Sequence, residues 1–212
     1  MTNHRVVFQP SGRQGSVAEG TTLLDAARQL HPAQRLPVAQ LALPALKRRP
    51  AGEIEQLLAG VDGLIHRDGH VAVFEYVLAR LLRQQLGEAM EPGRAQPGHA
   101  KLVAVRKEAL ALLATLARHG HTQEDAARRA FAAGSAVLFP GEASTYAPPD
   151  AWIEALDQAL PALDALLPAG KETLVLALAT TVGHDGQVAI SEAELLRLTC
   201  TLLHCPMPPV LG

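Results

Sequence analysis

The feature that most restricts this chain is a duplication. Leu57-Leu58, Val61, Ile65, Asp68, Gly69, Val71, Ala72, Glu75, Leu78, Arg80 and Leu81 recur as Leu174-Val175, Leu178, Val182, Asp185, Gly186, Val188, Ala189, Glu192, Leu195, Arg197 and Leu198, each pair 117 residues apart. One register shared over so many positions implies two copies of a single supersecondary unit, neither of which can bury its apolar face alone. The unit reads as helix, tight turn, helix. Gly69 and Gly186 are placed to take positive φ after the first helix, Asp68 and Asp185 to accept bonds from nearby amides, and Val71 and Val188 to pin the loop to a core. In the second copy Ser191 and Glu194 have the spacing of a capping box.

The rest of the pattern is helical too. Leu41, Leu43 and Leu46, then Ile54, Leu57, Leu58, Val61, Leu64 and Ile65, then Val77, Leu78, Leu81 and Leu82 recur at three and four residues, the spacing of faces turned toward a core. Glu91-Pro92-Gly93-Arg94-Ala95-Gln96-Pro97-Gly98 breaks the pattern and marks an internal boundary. Beyond it, helices are predicted near Lys101 to Arg118, after a Thr122 cap, near Trp152 to Leu160, Lys171 to Val182 and Ser191 to His204. The N-terminus differs: Val6, Val7 and Phe8, Pro10-Ser11-Gly12, Gly15, Val17 and Gly20-Thr21 punctuate like a small β-hairpin, and Thr22 can cap a helix through Leu30. The expected organisation is residues 1–30 as a hairpin and helix of separate origin, 31–90 as a first helical unit, 91–100 as linker and 101–212 as a second helical unit.

Composition narrows the function. The 212 residues are 48% hydrophobic and only 3% aromatic, which suits helix packing through Ala and Leu. A net charge of −2 gives no electrostatic reason to expect nucleic acid or anionic lipid. No apolar stretch reaches the ~20 residues of a membrane helix and no leader is visible, so a cytoplasmic setting without a direct membrane span is expected. Two cysteines, Cys200 and Cys205, are too few for a disulfide framework, and on one helix a mutual bridge would be strained.

Candidate chemistry centres on the repeat and the last helix. Asp68 and Glu75 fit the fifth and twelfth positions of a calcium loop, but the first and third fall on Leu64 and His66, and in the second copy on Thr181 and Gly183, so too few hard oxygen ligands remain. The stronger expectation makes Asp68, Glu75, Asp185 and Glu192 turn and helix-start residues, with a divalent-cation sensor as the alternative. Cys200, His204 and Cys205 form a second possible metal group, against a buried thiol at a helix end. His119-Gly120-His121 sits at a helix break and reads as solvated loop histidines, and Lys47-Arg48-Arg49 as a favourable helix end. The chain holds no His-Glu-x-x-His, no Gly-x-Ser-x-Gly and no phosphate-binding glycine loop, which leaves a small hydrolase with a dispersed site as the remaining catalytic alternative.

Two resemblances add to this. Leu36 through Leu86, with Leu41-Ala42-Leu43-Pro44-Ala45-Leu46 and Val73-Phe74-Glu75-Tyr76-Val77-Leu78, and the ending Val188-Ala189-Ile190-Ser191-Glu192-Ala193-Glu194-Leu195-Leu196-Arg197 with His204-Cys205-Pro206-Met207-Pro208-Pro209, resemble the TerB-like helical tail of bacterial membrane zinc metallopeptidases of the HtpX type, over about residues 31 to 212. The resemblance implies a mainly α, TerB-like multi-helix array, without cofactor, that regulates a peptidase or docks it to a protein partner. The peptidase portion is missing, so protease activity is not implied. Residues 5–30, Arg5-Val6-Val7-Phe8 through Leu24-Asp25-Ala26-Ala27-Arg28, resemble the opening hairpin and helix of the β-grasp ferredoxin domain in corrinoid-protein activators. That family's cluster-binding cysteines are absent, since no Cys precedes Cys200.

Overall fold

The computed structural model describes residues 3–8, 13–18, 32–65, 71–90 and 98–208. The predicted Thr22 helix, Asp68, Gly69 and most of the linker lie outside these. The protein is mainly helical. Eight α-helices occur among the described residues: α1 (Pro32–Leu46), α2 (Ala51–Ile65), α3 (Val73–Met90), α4 (Arg106–Gly120), α5 (Glu124–Leu138), α6 (Trp152–Asp164), α7 (Pro168–Val182) and α8 (Ile190–Leu202).

Apolar spacing decides which face of each helix is buried. In α4, Ala109, Leu112, Leu113, Leu116 and Ala117 are buried, and in α5, Ala127, Ala130, Phe131, Gly134 and Leu138; both rows follow steps of three and four. Small residues let these helices approach closely. A side chain at Gly134 would run into Thr181 and the Ala177 carbonyl of α7, which is why α5 and α7 pack so intimately. Each fully buried Leu in these rows contributes about 1.5–3 kcal/mol of hydrophobic stabilisation before chain entropy is subtracted.

The second helices of the two repeats, α3 and α8, lie against each other, and α4 packs on α5, α6, α7 and α8. One large core therefore runs from Leu36, Tyr76, Val77 and Leu81 through the later helices to Leu202 and Leu203. A smaller cluster, Leu43, Ile54, Leu82 and Leu86, holds α1 and α2 to α3.

Several predicted boundaries move, for local reasons. The segment after Lys101 first makes a 3-10 turn, Leu102–Val105, before α4. Thr122 does not cap α5: the helix starts at Glu124, its N-cap Gln123 makes no side-chain bond, and Glu124 and Asp125 put negative charge in the first turn. Helix α7 begins at Pro168 and not at Lys171, since proline's fixed φ suits a first turn. Gly98, His99 and Ala100 are pinned on residues 165–167, with His99 and Ala100 amides donating to the Ala165 carbonyl and the Leu167 amide to Ala100.

Candidate functional site

Both copies of the repeat close their turn with the same bond. The Ala72 amide donates to Glu75 Oε2 at 2.8 Å, and the Ala189 amide to Glu192 Oε2 at 2.9 Å. Each glutamate is the third residue of its helix reaching back to the N-cap, which satisfies an amide that the helix itself cannot. Alanine has no oxygen to return the favour, so only half of a capping box forms. The predicted Ser191–Glu194 box is overturned: Ser191 lies inside α8, and its hydroxyl donates to the His119 carbonyl at the end of α4, at 2.6 Å. In the second turn Gly186 takes φ 73°, and Asp185 Oδ1 accepts the Gln187 amide at 2.9 Å.

The solvated-histidine reading of His119-Gly120-His121 is also overturned, because the α4–α5 corner is folded against α8. The His121 side chain is only 5% exposed and that of Glu192 2%. His121 Nδ1 lies 3.0 Å from the Ala117 carbonyl and 3.7 Å from Glu192 Oε1, while Nε2 faces Asp185 Oδ2 at 3.6 Å. Glu192 Oε1 is buried without a hydrogen-bond partner. Burial pushes the Glu192 carboxyl above the ordinary glutamate range; the Ala189 amide and the charge of His121 oppose this, and Asp185 adds to it. Gly120 makes the fit possible, since a side chain there would collide with the Glu192 carboxylate.

His119 turns the other way. Its ring meets Trp152 edge-on at 4.8 Å, and Trp152 meets Tyr76 at 5.2 Å. Burial holds His119 below the usual histidine range, with Arg118 adding to the effect, and its Nε2 is buried without a partner. Tyr76 donates to Asp157 Oδ1 at 3.0 Å, and Arg80 lies 3.5 Å from the same atom. Burial, first, and the Asp157 charge push the Tyr76 hydroxyl far up, so it acts as a donor throughout the physiological range.

Beside His121 a cleft of about 490 Å³ is lined by Arg118, Thr122, Glu124, Tyr146 and Asp150 among others. Its charges oppose one another: Arg118 lies 3.6 Å from Asp150, and Glu124 is paired with Arg128. The cleft thus presents no field of one sign.

The Cys200, His204 and Cys205 group does not assemble. Cys200 is buried, and burial pushes its thiol up to about 11, with Cys205 adding a little; His204 is turned outward, 3.7 Å from Glu88. The three residues build the end of α8 instead. His204 takes φ 55°, its amide donates to Thr201 and the Cys205 amide to Cys200 at 2.9 Å, the paired bonds of a Schellman motif. Lys171 adds a bond to the Leu203 carbonyl at 3.1 Å. Among the described residues no three His, Cys, Asp or Glu side chains converge as a metal would require. Asp185 and Glu192 approach opposite nitrogens of His121, so one ion could not sit between all three, and both carboxylates are engaged by their own backbone.

His121 is the residue that sequence reasoning missed. Its acidic partners lie more than sixty positions away, and no local spacing announces them. No family model, curated protein or solved structure matches this chain.

Proposed function

We propose that this chain is a non-catalytic, TerB-like accessory module that regulates a membrane zinc metallopeptidase, or docks it to a partner, from the cytoplasmic side. The observation that carries the reading is the duplicated joint. Glu75 and Glu192, two of the acidic residues that would have had to bind an ion, are engaged in matching backbone bonds at Ala72 and Ala189, and the helices they begin pack on each other. Such a unit supplies a rigid scaffold and exposed helix faces. The likeness of residues 31–212 to the TerB-like tail supplies the partner class.

The test is a titration of the purified chain into a detergent-solubilised HtpX-type peptidase, followed by fluorescence anisotropy. Saturable binding is expected, and its absence removes the partner. A broad esterase and peptidase screen decides the other half: turnover above buffer would sink the non-catalytic reading.

A further inference from the structure

The second joint carries a group that the first lacks. We propose that His121 is a pH-responsive latch, whose protonated ring ties the corner between α4 and α5 to the turn and cap of the second repeat. The ring is buried, and each of its nitrogens faces an acceptor of that repeat, Asp185 Oδ2 on one side and Glu192 Oε1 on the other, with the Ala117 carbonyl as a further acceptor at Nδ1.

A neutral imidazole has one N–H and one lone pair. When the N–H serves Ala117, the lone pair of Nε2 faces the Asp185 carboxylate, and Glu192 Oε1 has no donor. That arrangement sets two anionic groups against a ring that offers neither a charge. A protonated ring keeps its Nδ1–H on the Ala117 carbonyl, turns a second N–H at Nε2 toward Asp185 and places a positive charge between the two carboxylates, which the neutral ring cannot do. The same carboxylates hold the joint: Asp185 binds the Gln187 amide through its other oxygen, and Glu192 binds Ala189. Protonation of one ring therefore tightens both the turn and the helix cap.

The other groups around the ring leave this balance in place. Arg118 of α4 is drawn toward Asp150 of the loop before α6, and Glu124 of α5 pairs with Arg128. Tyr146, across the cleft, has its hydroxyl pushed up by burial and stays neutral. Acidification that protonates Glu192 relieves its buried charge but also removes one of the two charges that the ring meets, so a response from Glu192 alone would persist without the ring.

Amide hydrogen exchange of the intact chain, read as protection factors at Gln187 and Ala189 between about pH 8 and about pH 6, tests the latch. In the wild type both should rise about three- to fivefold on acidification, the size expected of a half-buried ion pair. In His121→Gln, which keeps a donor but does not titrate, and in Asp185→Asn, which keeps the Gln187 bond but removes the charge, the rise should vanish or shrink to under half. A flat wild-type profile overturns the latch. So does an undiminished rise in His121→Gln, which would assign the response to Glu192. Should His121→Gln fail to fold, Asp185→Asn decides, its surface carboxylate being about half exposed.

Discussion

The two copies of the repeat begin with the same residues and end in different surroundings. Around the first, Glu75 makes its cap near solvent, and the following helix docks on α6 through Tyr76 and Arg80, which share Asp157. Around the second, the equivalent of Tyr76 is Ala193, the equivalent Arg197 reaches Gln40 of α1, and the cap of Glu192 is roofed by Gly120 and His121. A bond of nearly the same length thus closes both joints, and what separates them is burial. In water a lost cap amide finds another partner; under a lid it does not, so the same contact carries different weight in the two copies.

The largest expected effect follows directly. Glu192→Ala should cost about 2–3 kcal/mol, because the half-buried Ala189 amide loses its partner and a void opens beneath Gly120. Glu75→Ala should cost only ~0.5–1 kcal/mol, the ordinary value of an exposed cap. Paired denaturant melts decide this, and equal losses in the two variants would break the comparison.

Gly186→Val comes next. Its φ of 73° is a conformation that a β-branched residue reaches only with strain, so about 1–2 kcal/mol should be lost. A melting temperature within error of wild type would mean that the second turn relaxes freely.

Acidity sharpens the comparison further. The folded chain holds the Glu192 proton to a higher pH than the unfolded chain does. The stability linked to this group is therefore full below the ordinary glutamate value and is lost as pH rises through the raised one. Thermal melts between about pH 5 and about pH 8 should show wild-type stability falling as pH rises, and Glu192→Gln, which keeps an acceptor for Ala189, should flatten the trend.

The smallest effect is a gain. His204 occupies the left-handed position that ends α8, where glycine is at ease, and His204→Gly should add ~0.5–1 kcal/mol in a denaturant melt.

Periodicity and the repeat made the helical class and the joint legible before any coordinates, because both depend on residues within one or two turns of each other. Helix starts were less so. Thr122 and Ser191 looked like caps by type and spacing, yet Ser191 is recruited by a carbonyl of another helix, and the N-cap of α5 is Gln123. The site was the least legible part. His119 and His121 stand at a break where local chemistry favours solvent, and only tertiary packing covers them, His119 against Trp152 of α6 and His121 against the second joint. The α8 end misled in the opposite sense: Cys200, His204 and Cys205 have metal-like spacing, but the left-handed turn at His204 sends its ring outward.

The contact between α3 and α8 has a consequence for how the chain is made. The two helices are 117 positions apart in register, so at about 5–20 residues per second the ribosome exposes the first apolar stripe roughly 6–25 seconds before its cover exists. Until α6 is made, α3 can lean only on α1 and α2 through the small cluster at Leu43, Ile54, Leu82 and Leu86. That cluster is thus a temporary shelter for a nascent chain as well as a minor core, and weakening it should show first as aggregation during synthesis, before the finished fold registers any loss.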